Sequence, residues 1–131
     1  MTGRILAVDP GELRLGLAVS DELGMIARPL LTIRHTTAEE DARQIVEQAE
    51  ALSSRLIIIG VALNQEGLAT PQSEKAMRLI ERLQRLTSVP IIPYDESGTT
   101  QRALALGGND NQLDQRAAAV LLQDYLDAQA P

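Results

Sequence analysis

The chain of 131 residues can enclose one hydrophobic core and is too short for two, so a single domain over 1–131 is expected. Its 44% hydrophobic and 23% charged residues exclude a disordered or fibrous chain, and the absence of cysteine excludes disulfides, thiolate metal sites and cysteine nucleophiles. A net charge of −6 argues against indiscriminate binding of polyanions, which takes clustered Lys and Arg, and leaves room only for a local basic patch.

In chain order, three strands come first, Arg4 to Val8, Arg14 to Ser20 and Arg28 to Arg34, joined by turns around Pro10-Gly11 and Leu23-Gly24. They predict an antiparallel meander. In the second strand Leu15, Leu17 and Val19 alternate with Gly16, Ala18 and Ser20, so one face is bulky and the other admits a closely packed helix. From Ala38 to Leu52 the apolar residues fall at helical spacing, with Glu39, Glu40 and Asp41 in the first turn. Leu56 to Ile59 is an all-apolar run ended by Gly60, the pattern of a strand covered on both faces and central in the sheet. Thr70 as N-cap and Pro71 at the first helical position open a second helix through Leu86, with Ala76, Leu79, Ile80 and Leu83 facing inward. Val89 to Tyr94 is a strand whose Pro90 and Pro93 place it near an edge. A short helix over Thr100 to Leu106 stops at Gly107-Gly108, and a last helix runs from about Leu113 to Asp127. The order implies an α/β fold, a mixed five-stranded sheet with helices on both faces. No segment reads as a signal peptide or membrane span, so a cytoplasmic protein without membrane contacts is expected.

Three carboxylates stand out. Asp9 ends the first strand, where the bland reading is a turn-forming aspartate before Pro10-Gly11. Asp95-Glu96 follows the last strand, and alternation lets only one of the two share a face with Asp9. Asp114 lies four, seven and eight residues before Ala118, Leu121 and Leu122, which puts it on the buried stripe of the last helix. A carboxylate there faces a desolvation cost of several kcal/mol unless it is paired or metal-bound, although a first-turn acid favoured by the helix dipole fits equally. Asp9, Glu96 and Asp114 together suit a hard divalent cation, Mg²⁺ or Mn²⁺, and hence phosphoryl transfer.

The chain resembles the YqgF/RuvX family, whose members are described as Holliday junction resolvases and as pre-16S rRNA processing nucleases. The likeness is carried by Arg4-Ile5-Leu6-Ala7-Val8-Asp9 with Arg14 to Asp21, by Ile59-Gly60 through Leu63-Asn64 and Gly67, by Ser73-Glu74-Lys75, by Tyr94-Asp95-Glu96 with Thr99-Thr100, and by Asp114 with Ala117-Ala118 and Leu122 to Leu126. It spans nearly the whole chain. The resemblance implies an RNase H-like fold and metal-dependent nuclease chemistry with Asp9, Glu96 and Asp114 as the acidic residues. The chain also departs from the family pattern. Leu13 stands where a lysine is usual, Ser97 where an arginine is usual, and residues 107–112 carry no positive charge where the family has a basic loop. Each lost cation weakens phosphate binding.

Two functions from different classes follow. The first is a metal-dependent endonuclease acting on structured RNA, as in pre-16S rRNA 5'-end processing, or on branched DNA, with Asp9 and Glu96 holding the metal and Asp114 completing the site. Arg14, Asn64, Thr99 and Thr100 are then the candidate nucleic-acid contacts, Asn64 because sites in open α/β sheets form beyond the strands' C-terminal ends. The second is a catalytically weakened member serving as a ribosome-biogenesis or nucleic-acid-associated binding factor, with weak nucleic-acid affinity and a ribosomal or transcription-associated protein partner. Either reading is compatible with a monomer or a homodimer. An actin-like nucleotide-binding protein is disfavoured, because two lobes do not fit this length and Asp9-Pro10-Gly11-Glu12 lacks a hydroxyl residue. His35, the one histidine, reads as a solvated loop residue, and with only Tyr94 and Tyr125 as aromatics base stacking is not expected to dominate binding.

Overall fold

The computed structural model describes residues 3–62, 68, 70–95 and 110–130, with 110 and 111 as backbone only. Five strands form one sheet in the order β3-β2-β1-β4-β5. They are β1 (Arg4–Pro10), β2 (Arg14–Ser20), β3 (Ala27–Arg34), β4 (Ser54–Val61) and β5 (Ile91–Asp95). The first three form the expected antiparallel meander, β4 joins β1 in parallel, and β5 pairs in parallel with β4 at the edge. Helices α1 (Ala38–Ala51) and α2 (Pro71–Leu86) cover one face and α3 (Asp110–Gln129) covers the other.

Alternation along the strands sorts the side chains into two cores. Leu6 and Val8 of β1, Leu15 and Leu17 of β2 and Ile57 and Ile59 of β4 meet Ile45 of α1 and Ala76, Ile80 and Leu83 of α2. Ile5, Ala7, Ala18, Leu56 and Ile58 turn the other way, onto Ala118, Leu121, Leu122 and Leu126 of α3. β4 is thus buried on both faces, which is why its sequence is apolar without alternation. It is longer than its apolar run, because Gly60 and Val61 go on pairing with Tyr94 and Asp95. β5 starts two residues later than expected. The Val89 N–H is taken up locally by Thr87 Oγ1 at 3.2 Å, and Pro90 contributes only its carbonyl, which accepts from the Ile57 N–H at 2.9 Å. The Thr70 cap is as read, its hydroxyl accepting from Ser73 N–H at 3.1 Å while Ser73 Oγ accepts from Thr70 N–H at 2.7 Å.

The last helix begins at Asp110, three residues before the expected start. Asp114 therefore sits in its second turn, beyond the orphan N–H groups of the first, and the reading of it as a first-turn acid loses its basis. The short helix expected over Thr100 to Leu106 lies outside the described residues. Among the described residues no helix is long and apolar enough to cross a membrane.

Candidate active site

The site is built where β1 ends, β2 begins and α3 crosses them. Asp9 is the register partner of Gly16 and shares its face of the sheet, the face of Ala7 and Ala18 that α3 covers. Gly16 carries no side chain because none fits: a Cβ there would lie 1.9 Å from the carbonyl oxygen of Asp114 and 2.8 Å from the backbone nitrogen of Gln115. The helix backbone rests on the glycine, and the small face of β2 anticipated from Gly16, Ala18 and Ser20 is what lets it descend. Asp9 and Asp114, far apart in sequence, are thereby brought to the two sides of one missing side chain.

Asp114 is held by an arginine. Arg14, at the start of β2, donates from Nε to Asp114 Oδ2 at 2.8 Å, with the two side chains 46% and 25% exposed. This pairing settles the desolvation problem that the sequence raises for a carboxylate on the buried stripe. It also places a guanidinium at the rim of the site with donors beyond Nε for a phosphate oxygen. Asp9 is half-buried. Of the pair at the end of β5, Asp95 is exposed and lies opposite Val61, on the α1 and α2 side, so it does not share the face of Asp9. Glu96, Asn64, Thr99 and Thr100 lie outside the described residues, as do Ser97 and residues 107–109. Among the described residues no three metal-binding side chains converge. Asp9 and Asp114 offer oxygen donors only, the ligand type of hard rather than soft cations.

Behind the site, Tyr94 on β5 donates its hydroxyl to Asp124 of α3 at 2.9 Å and meets Tyr125 edge-on, with ring centroids 5.5 Å apart. At the far end of α3, Gln123 accepts from Ala27 N–H at 2.9 Å and donates to the Met25 carbonyl at 3.0 Å, tying the helix to the β2–β3 turn. These contacts fix α3 at residues 123–125, and its seat on Gly16 fixes it at Asp114. Sequence pattern locates Tyr94, Gln123 and Asp124 only as half-exposed positions and gives no sign of their pairings.

His35 corrects the reading of a solvated loop residue. Its Nδ1 contacts Asp41 Oδ2, and the two side chains are 29% and 3% exposed. The Thr36 N–H reaches the other oxygen of Asp41 at 3.2 Å. Asp41 lies one turn into α1 on its buried side, so the histidine next to the helix start is the nearest group that can satisfy it.

The family model for RuvX, described as Holliday junction resolvase, matches residues 3–128. A protein of Thermoanaerobacter pseudethanolicus named "Putative pre-16S rRNA nuclease" is 34% identical over 96% of this chain and 97% of its own. A protein of the same name from Chloroflexus aurantiacus is 36% identical over 95% of this chain and 86% of its own. Among solved structures, Thermus thermophilus RuvC in complex with Holliday junction substrate superposes with a TM-score of 0.62 at 18% identity, covering 97% of this chain and 95% of that one. The yeast mitochondrial Holliday junction resolvase Ydc2 gives 0.59 at 9% identity, over 95% and 78% of the two chains. At such identities the likeness speaks for the fold, which is RNase H-like. The sequence matches go further, and the chain belongs to the RuvX family.

Proposed function

We propose that the chain is a divalent-metal-dependent endonuclease that hydrolyses phosphodiester bonds in structured nucleic acid, with precursor 16S rRNA or branched DNA as substrate. The names of its relatives support the substrate class. The observation that supports the chemistry is that Asp9 is the register partner of Gly16, the glycine over which the Asp114 backbone lies. Asp9 and Asp114, with Glu96 as the third carboxylate that the family resemblance supplies, would hold Mg²⁺ or Mn²⁺. When bound, such an ion lowers the pKa of a water and offsets charge on the leaving oxygen. The protein's own part is positional. Gly16 lets the Asp114 backbone come down onto β2 next to Asp9, and Arg14, oriented through its Nε by Asp114, would present its remaining N–H groups to a phosphate. Thr99, Thr100 and Asn64 are proposed as further phosphate contacts, from the sequence alone.

The Asp9→Asn variant tests this reading. It keeps the shape and removes the charge, so Mg²⁺- or Mn²⁺-dependent cleavage of precursor 16S rRNA and of a four-way DNA junction should fall roughly a thousandfold, the scale of losing several kcal/mol of charge stabilisation. Unchanged cleavage with an intact fold would refute it.

One observation favours the second reading, a weakened enzyme acting as a binding or assembly factor. Leu13 presents an apolar side chain, 73% exposed, where the family pattern has a lysine, and Arg14 beside it is engaged with Asp114. If the purified protein cleaves neither substrate and co-purifies with a ribosomal or transcription-associated protein, this reading replaces the first.

A further inference from the structure

On the opposite side of the sheet from Asp9, a cavity of about 210 Å³ opens between the β1–β2 turn, the start of α1 and the middle of α2. Pro10, Gly11, His35, Asp41, Lys75 and Arg78 are on its walls. Leu15 and Leu79, both buried, make an apolar floor. At about 30 Å³ per water the space equals roughly seven waters, enough for a phosphate and part of a sugar.

The charges around it are unevenly settled. Among the acids of α1's first turn, Glu40 is bonded to Arg43, Glu39 lies 3.8 Å from Arg82, and Asp41 is occupied by His35 and the Thr36 N–H. Glu12 and Glu74, the other acids nearby in sequence, do not line the cavity. Lys75 and Arg78, one turn apart on α2, have no ion-pair partner among the described residues, although the chain carries 18 acids to 12 basic residues. Nδ1 of His35 is engaged with Asp41, which leaves Nε2 for another partner. The N-terminus of α1, at Thr37 and Ala38, adds its positive end to the same wall.

We infer that this cavity is a phosphate-binding site, separate from the carboxylates, in which Lys75 and Arg78 hold the phosphate and the apolar floor receives the attached sugar. Pro10 and Gly11 form one wall of it and directly follow Asp9 in the chain, so a bound phosphate would sit at the same edge of the sheet as Asp9, on the opposite face. A single engaged phosphate fixes the position of a chain without reading its sequence.

The test is run in EDTA, so that its outcome is independent of metal binding and of the nuclease reading. Affinity of the intact protein for a fluorescent RNA stem-loop is measured by anisotropy across a salt series, and amide shifts are followed by NMR as adenosine monophosphate is added. For Lys75→Ala/Arg78→Ala we expect RNA binding at least about tenfold weaker, as for lost hydrogen bonds to a charged group. The log–log salt slope should be shallower by about 0.7 to 0.9, the contribution of one phosphate. The charge-keeping Lys75→Arg/Arg78→Lys variant should restore both. If RNA binding is unchanged but the nucleotide-induced shifts around His35 and Leu79 are lost, the site stands and its ligand is a free nucleotide. If the double alanine variant changes neither, or the intact protein shows neither binding nor shifts, the inference is overturned.

Discussion

Gly16→Ala is the sharpest perturbation the fold offers. The added methyl would stand 1.9 Å from the Asp114 carbonyl oxygen, against 3.4 Å for an ordinary contact, so α3 must retreat by about 1.5 Å at this point. Both groups are backbone-borne, and no side-chain rotation relieves the clash. Overpacking of this kind costs about 1 to 3 kcal/mol, a fall in Tm of roughly 4 to 12 °C for a domain of this size. The chemical loss should exceed the thermal one. Metal–oxygen distances near 2.1 Å tolerate about 0.2 Å, and a misplacement of 1 Å can cost a hundredfold in rate. Calorimetry should show the drop in Tm and titration with Mn²⁺ a larger drop in affinity. Near-ultraviolet circular dichroism should register a weakened Tyr94–Tyr125 contact, the built-in reporter of α3 docking. A variant with unchanged Tm, Mn²⁺ affinity and tyrosine signal would show that α3 does not rest on Gly16 and would remove the basis for joining Asp9 to Asp114.

Three other outcomes are expected. Ser53, at the α1–β4 junction, has φ 52°, so Ser53→Gly should raise stability by about 0.5 to 1 kcal/mol in urea unfolding. Asp21 accepts from the Met25 and Ile26 N–H groups at 2.7 and 3.0 Å, and these bonds hold its carboxyl below the ordinary value of 3.8. With the folded value depressed, its stabilisation of the turn is complete above pH 3.8 and fades as the pH falls through the folded value; amide exchange at Met25 and Ile26 should accelerate in that window and not in Asp21→Ala, which lacks the acceptor and exchanges fast throughout. Tyr94→Phe loses the hydroxyl bond to Asp124 and should cost about 1 kcal/mol, with the edge contact to Tyr125 retained in the tyrosine spectrum.

Periodicity made most of the fold legible. The alternation of β2, the apolar run of β4 and the Thr70-Pro71 start of α2 each have one good local explanation, and the structure uses it. The start of α3 was misplaced because Asp110, Asn111 and Gln112 are polar and lie before the apolar stripe, so nothing in their pattern separates a first turn from a loop. Of the site, the placement of Asp114 on the stripe followed from spacing, and the close approach over β2 from Gly16 and Ala18. The partners did not follow. Arg14 and Asp114 are separated by 100 positions, and His35 binds an aspartate whose burial depends on how α1 sits on the sheet. Pairings of this kind are decided by tertiary packing, which a single sequence does not encode locally.

The separation of Arg14 from Asp114 has a consequence in time. At 5 to 20 residues per second, a ribosome makes Asp114 roughly 5 to 20 s after Arg14, a gap of 100 positions. Until then the face of Ile5, Ala7 and Ala18 has no cover, since α3 is the element that covers it. A chain stalled or truncated before α3 therefore exposes an apolar sheet and carries half of a carboxylate pair. One late-made helix thus supplies both the cover of that face and Asp114.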